Sequence, residues 1–226
     1  MSEDLMKYDE LTADSKCRET ALLIVDFVSD FDFEDGELLF RRSREAVKNV
    51  SILKKKIKRI NAPVIYVNDE LGNGRTALED DLSKLEGRSA KAAEIMSSIR
   101  PEDDDHWIVK PQRSGFYGTP LGNLLLSLGV SSVIVAGVTT DICVLFTAHD
   151  AYMRGYAVSV PSDCRAALED SHHKDALRFL ERVADIDSSP STSDRWKRIS
   201  SATNSQGGNP LGHLNTSGAD LVFSPN

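Results

Sequence analysis

The run Ser132-Val133-Ile134-Val135-Ala136, continued by Gly137-Val138-Thr139-Thr140-Asp141-Ile142-Cys143-Val144, decides how this chain is read. Its first part is apolar and rich in β-branched residues, the composition of a strand buried on both faces of a parallel sheet. Leu145 to Arg154 is rich in helix formers, and Gly155 supplies a C-cap. Cys143 therefore falls in the first turn of a helix, just beyond the carboxyl end of a strand. Thr139 or Thr140 is the N-cap. The position bears on thiol chemistry, because a free thiol has a pKa of about 8.5 and only its thiolate is a good nucleophile. The positive end of a helix dipole favours the thiolate by about 0.3–1 kcal/mol at an exposed site. Unpaired N–H groups at the same end can hold an oxyanion. Asp141, in the same turn, opposes this. A working cysteine nucleophile thus needs a base and a cation from elsewhere in the chain. The competing reading is a buried, inert cysteine of an α/β core.

The remaining composition narrows the class. A chain of 226 residues, 40% hydrophobic, fits one α/β domain with a tail. A formal charge of −8 argues against a nucleic-acid or anionic-membrane partner. The three cysteines, Cys17, Cys143 and Cys164, are odd in number and far apart. They make no disulfide framework and indicate a reducing compartment. The N-terminus lacks an apolar signal core and no window approaches about 18 continuous apolar residues, so a soluble cytoplasmic protein is expected.

Strands and helices alternate along the chain. Ala21-Leu22-Leu23-Ile24-Val25 reads as a buried strand ending at Asp26. Ser43 to Ile60 reads as a helix with Ala46, Val50, Leu53, Ile57 and Ile60 on one face. Its Lys54-Lys55-Lys56 and Lys58-Arg59 read as a solvated face. Val64 to Val67 and Trp107 to Val109 read as further strands, the latter ending at Lys110. Residues 77–99 are weakly helical, and Pro101 to Asp105 is a solvated acidic turn. Thr119 and Pro120 open a helix that ends near Gly129. Tyr156 to Val160 is a fifth strand, Asp170 to Val183 a helix, and Ala184-Asp185-Ile186 a short sixth strand. From 188 to 226, Ser, Thr, Asn, Gly and Pro dominate without periodicity, which reads as a low-complexity, disordered tail. The expected architecture is a single-domain three-layer αβα sandwich over residues 18–187, with a mostly parallel, doubly wound sheet.

Such sheets place ligands outside the carboxyl ends of their strands. Asp26, Lys110 and Cys143 come from three separate strand ends. Together they form an acid, a cation and a thiol able to act on a carbonyl. Asp26 can take the thiol proton as general base and return it to a leaving amine, work typically worth about 10²–10⁴ in rate. Lys110 can stabilise both thiolate and carboxylate by its charge. Taken singly, Asp26 reads equally well as a helix cap and Lys110 as an ordinary strand-end lysine.

Four groups of residues carry a resemblance to a known family. They are Leu22 to Asp26 with Asp30-Phe31; Lys110 with Ser114, Phe116, Tyr117, Gly118 and Thr119; Gly137 to Val144; and Thr147-Ala148, Asp150-Ala151, Gly155-Tyr156 and Ser162-Asp163. The chain resembles the isochorismatase-like cysteine hydrolases, which include nicotinamidases, N-carbamoylsarcosine amidohydrolase, ureidoacrylate hydrolase and isochorismatase. The resemblance implies a triad of Asp26, Lys110 and Cys143, with attack by Cys143 giving a thioester that water releases. It implies a non-proline cis peptide bond before Thr139, and an oxyanion hole from the backbone N–H groups of Thr139 and Cys143. Phe31, Phe116 and Tyr117 become apolar walls of a substrate site, core packing being the other reading. By the same resemblance the protein is a homo-oligomer acting on a small molecule.

Departures from the family pattern concern the substrate more than the reaction. Val28-Ser29 stands where many relatives have Gln-Asn. Nicotinamidases carry a metal site of aspartate and histidines after the second strand. Asn68 to Gly74 has no histidine there, so no metal and no cofactor are expected. The adjacent His172 and His173 point different ways on a helix and make a poor ligand set. Arg113 neighbours Gln112, where many relatives have arginine. Isochorismatase itself lacks the cysteine, so Cys143 favours C–N hydrolysis over enol-ether cleavage. An idle binding or scaffold member and a thiol redox protein are the readings from other classes.

Overall fold

The computed structural model describes residues 19–72, 77–184 and 186–193. Strand β1 (Thr20–Val25) is followed by helix α1 (Gly36–Arg59), strand β2 (Val64–Asn68), and helices α2 (Leu78–Arg88) and α3 (Ala90–Ile99). Then come β3 (His106–Val109), α4 (Leu121–Ser127), β4 (Ser132–Val138), a π-helical turn (Thr140–Val144) and α5 (Leu145–Met153). The described chain closes with β5 (Ala157–Ser159), β6 (Arg165–Ala166) and α6 (Asp170–Ala184).

The strands lie in the order β3-β2-β1-β4-β5, with β6 also paired to β4, and every pairing is parallel. β1 and β4 are central, in register from Thr20↔Ser132 to Val25↔Gly137. Their side chains alternate between faces, as the pleat requires. Leu22 and Ile24 join a core with Val50, Leu53 and Ile57 of α1 and Ile95 and Met96 of α3. Ala21, Leu23 and Val25 face the opposite way, onto Leu121, Leu125, Val144 and Ala148. The result is three layers, helix on sheet on helix, as the alternation of elements implied.

Several expectations are corrected. Helix α1 begins at Gly36 rather than Ser43. Ser43 resembles a cap, but it is buried and donates its hydroxyl to Leu39 O at 2.7 Å, four residues back. The true start carries no cap signal: Asp35 sits there at φ 64° without a side-chain cap bond. Gly36 follows because a Cβ would lie 2.2 Å from Phe31 O. Lys54 is buried rather than solvated, and so is the acidic turn's Asp105. Lys54 Nζ meets Asp105 Oδ2 at 2.7 Å and Arg100 O at 2.8 Å. The turn into β3 passes beneath the end of α1, a proximity that helical periodicity does not encode.

The sixth strand is Arg165–Ala166, and Ala184 instead closes α6. Asp187 makes an isolated bridge to Ser159. Residues 188–193, the start of the expected tail, pack on the domain. Ser191 donates its N–H and hydroxyl to Asp163 at 2.7 and 2.9 Å. Residues 194–226 lie outside the described residues, as does Cys17. Among the described residues no helix is long and apolar enough to cross a membrane.

Candidate active site

Four neighbouring strands each deliver one polar side chain at their carboxyl ends, in the spatial order Lys110, Asp69, Asp26, Cys143. Asp26 leaves β1 at φ 54°, a left-handed conformation uncommon outside glycine. Its N–H donates to Val67 O at 3.1 Å. Lys110 follows β3, anchored by its N–H to Asn68 O at 2.9 Å. Its side chain is only 2% exposed, and its Nζ lies 2.9 Å from Asp26 Oδ2 and 2.7 Å from Asp69 Oδ1. A buried ammonium requires such partners, since an unpaired charge away from water is strongly unfavourable. Asn68 fixes the adjoining loop by donating its Nδ2 to Val28 O at 2.7 Å.

Cys143 is presented by the turn beyond β4. Gly137 is required there by close approach: a Cβ would lie 2.2 Å from Val25 O. The Val138–Thr139 peptide bond is cis, where the resemblance placed one. Thr139 occupies the N-cap position but makes no side-chain cap bond, and Thr140 lies inside the turn. The turn itself is π-helical, with Val144 N–H donating to Thr139 O at 3.2 Å. Ile142 N–H donates to the same carbonyl, so neither bond uses the N–H of Thr139 or of Cys143.

The electrostatics correct one expectation, that the helix end and Lys110 favour a resting thiolate. Burial, followed by the Asp26 charge, pushes the Cys143 thiol up to about 12, against a smaller opposing effect of Lys110. At neutral pH the resting group is therefore a thiol. Burial likewise pushes the Asp26 carboxyl up to about 6, although Lys110 and a hydrogen bond from Cys143 pull it down. Asp26 is then mostly ionised at neutral pH yet basic enough to accept a proton, the condition for a general base. Burial opposes the Lys110 charge, but Asp26 and Asp69 more than offset it and raise Lys110 above the ordinary lysine value.

A cavity of about 470 Å³ opens over this row and has Asp26, Thr139 and Cys143 in its wall. That is within the usual size for a small-molecule site, about 300–1,000 Å³. Phe31 lines it, held at φ 54° and packed edge-on against Phe40 at 5.6 Å. Arg113 also lines it. Phe116 and Tyr117 do not. Phe116 is buried in the core against Tyr156, with Arg154 5.0 Å above its ring. Tyr117 is 64% exposed. The structure thus brings Phe31 to the site and leaves the other two aromatics outside the cavity wall.

The loop that carries Phe116 has a different task. Ser114 Oγ donates to Asp150 Oδ2 at 2.5 Å, and Gly115 N–H donates to Thr147 Oγ1 at 2.9 Å. Thr119 Oγ1 closes the loop on Gly115 O at 2.5 Å. These bonds tie the segment after Lys110 to α5, the helix that continues from Cys143. The two motifs are far apart in sequence and clamp each other in space. His173 on α6 adds a second tie, its Nδ1 2.9 Å from Thr140 Oγ1. The sequence offered no signal for that contact, nor for the pairing of Asp69 with Lys110. Among the described residues no cluster of three His, Cys, Asp or Glu side chains can hold a metal ion.

Fold and site define a class: a doubly wound α/β enzyme with its polar groups at the switch point between the two central strands. The chain belongs to the isochorismatase family of hydrolases, whose Isochorismatase domain model matches residues 20–190. It is 37% identical over 165 residues to the uncharacterized isochorismatase family protein YaaI of Bacillus subtilis, covering 73% of this chain and 90% of that one. Among solved structures it is similar to N-carbamoylsarcosine amidase from Thermoplasma acidophilum, with 31% identity, a TM-score of 0.60, and coverage of 77% of this chain and 98% of that one. The nicotinamidase SaPncA from Staphylococcus aureus aligns with 27% identity and a TM-score of 0.60, over 76% of this chain and 98% of that one.

Proposed function

We propose that this hydrolase cleaves a C–N bond in a small amide, ureide or carbamoyl compound, with Cys143 as nucleophile, Asp26 as general base and acid, and Lys110 as the stabilising cation. The observation that carries this reading is the row at the strand ends, with Lys110 Nζ 2.9 Å from Asp26 and Cys143 beside Asp26 in the cavity wall. The names of two similar structures, an amidase and a nicotinamidase, support an amide as the bond attacked.

The Cys143 sulfur adds to the substrate carbonyl carbon as its proton passes to Asp26, which must be ionised for the step. The oxyanion is received by the N–H groups of Thr139 and Cys143, a form of stabilisation worth about 3–4 kcal/mol per donor where it has been measured. The tetrahedral adduct collapses, the C–N bond breaks, and Asp26 gives its proton to the leaving nitrogen. A thioester on Cys143 remains. Water attacks it with Asp26 again as base, the C–S bond breaks, and Cys143 recovers its proton. Lys110 keeps its charge throughout and limits the cost of the ionised Asp26. Phe31 and the aliphatic wall exclude water from the adduct.

The test is ammonia release from a panel of primary amides, ureides and carbamoyl compounds, with Cys143→Ala as control. Turnover that disappears in the variant supports the reading and ranks the substrates. No release from any compound, with pyruvate formed from isochorismate, replaces it by enol-ether hydrolysis. We place the enzyme in a reducing cytoplasm, in keeping with its free Cys143 and Cys164, and read it as a homo-oligomer. Light scattering of the purified chain checks the assembly.

A further inference from the structure

One group in the row has no part in the mechanism above. Asp69 follows β2, between the strands that carry Asp26 and Lys110. Its Oδ1 takes a hydrogen bond from Lys110 Nζ at 2.7 Å, slightly shorter than the 2.9 Å from the same ammonium to Asp26. Lys110 is enclosed, whereas the Asp69 side chain is 75% exposed and lies on the cavity wall. Packing does not account for a side chain in that position, since it contributes little to any core.

We infer that Asp69 is a positioning residue, which shares the Lys110 ammonium with Asp26 and so lowers the reactivity of Cys143 until substrate arrives. The inference rests on the triad reading. Two carboxylates against one ammonium leave the row with net negative charge before the thiol ionises at all. A thiolate formed there adds to that charge beside the enclosed Lys110 and Asp26, where unit charges interact more strongly than in bulk water. Burial is the main cause that makes Asp26 harder to ionise and Cys143 harder to deprotonate, and the Asp69 charge adds a smaller effect in the same sense on both. Bound substrate removes the difficulty, because proton transfer to Asp26 then accompanies C–S bond formation and no free thiolate is needed. A thiol held back in this way is also protected from adventitious oxidation, which follows thiolate character.

The other charged groups around the row are accounted for. Arg88 pairs with Asp30 at 3.1 Å in the cavity wall, which Glu34, Glu70 and Arg113 also line. Asp141, in the Cys143 turn, faces His172 at 3.7 Å. Among the described residues Lys110 makes ion pairs with Asp26 and Asp69 alone.

The test needs no substrate. The rate of Cys143 alkylation by iodoacetamide is followed by peptide mass from pH 5 to 10 in the parent, Asp69→Asn, Asp69→Glu and Asp26→Asn proteins. Thermal melts check that each is folded. Removal of one nearby charge moves a thiol by roughly 0.5–1 pKa unit, so Asp69→Asn alkylates about 3–10-fold faster at pH 7.5. Asp69→Glu, which restores the carboxylate, returns towards the parent profile. A purely structural role changes melting and leaves the pH profile alone. Identical profiles for parent and Asp69→Asn overturn the role of Asp69. In that case Asp26→Asn decides the triad separately: a profile that departs from the parent leaves the triad standing, and one that matches removes it as well.

Discussion

Asp26 shows how one residue can be set for chemistry at the expense of the fold. Its carboxyl is buried at the end of β1 and held near 6, about two units above its ordinary value of 3.8. In the proposed mechanism the ionised form takes the Cys143 proton, so hydrolysis should rise with pH through about 6. The acidic limb of the rate profile checks this, and a limb near 4 contradicts it. The same shift bears on stability. Below about pH 4 the carboxyl is protonated in both folded and unfolded chains. Between 4 and 6 the unfolded chain gives up its proton first, and the folded state loses stability as pH rises. Asp26→Asn removes that cost, so at pH 7.5 the variant should be more stable by about 1–3 kcal/mol. The gain should vanish below pH 4, as urea titrations at the two pH values will show. Activity should fall by about 10²–10⁴ in the same protein. Functional groups that lower stability are common in enzymes.

At the scale of elements, the site depends on two segments held by backbone and hydroxyl contacts. Gly137 lets β4 run against β1 where the Cys143 turn begins. Gly137→Ala places a methyl 2.2 Å from Val25 O. It should destabilise the protein by about 3 kcal/mol or more, since strand backbones cannot give way cheaply. A melting temperature within 2 °C of the parent, taken as roughly the effect of 1 kcal/mol or less, would falsify the close-packing argument. The Ser114–Asp150 bond joins the Lys110 loop to the Cys143 helix. Ser114→Ala breaks it and leaves a half-buried carboxylate short of a donor, at a cost of about 1–3 kcal/mol. Because the bond ties the segment that follows Lys110 to the helix that follows Cys143, kcat should fall more than KM rises. Steady-state kinetics on whichever amide the panel selects will measure that split.

At the scale of the whole molecule, burial of a charge far from the site shows how the layers are joined. Lys54 of α1 and Asp105 before β3 pair at 2.7 Å, with side chains 5% and 0% exposed. Lys54→Met leaves Asp105 with Lys58 as its remaining ion-pair partner. The loss should be about 3 kcal/mol in urea unfolding, at the low end for breaking a buried pair from one side. Activity at saturating substrate should be unchanged, because this pair lies at the amino end of β3 and the active site at its carboxyl end. Chelation tests the chemistry of the whole chain. Treatment with EDTA should leave hydrolysis intact, because the row of Lys110, Asp69, Asp26 and Cys143 contains its own cation. Activity lost on chelation and restored by a divalent ion would overturn this.

The strands at 21–25, 64–67 and 132–136, the stripe from Ala46 to Ile57 and the αβα layering were all legible in the sequence. Each is a repeat of apolar residues over a short span, and hydrophobic burial reads such repeats locally. Asp26, Lys110 and Cys143 were legible as candidates because each closes a strand, and parallel sheets gather strand ends at one edge. What the tertiary structure decided was which neighbours those groups meet. Phe116 and Phe31 look alike as sequence, yet one packs in the core and the other lines the cavity. Lys54 and Lys55 look alike, yet Lys54 alone is buried. Asp69 stood in a polar loop until strand order set it 2.7 Å from Lys110. Cys143 is a thiol rather than a thiolate because burial and the Asp26 charge outweigh the turn that carries it. Sequence periodicity determines which face of an element avoids water. Charge, pKa and contact depend on distances between residues remote in the chain, and only the packed sheet sets those.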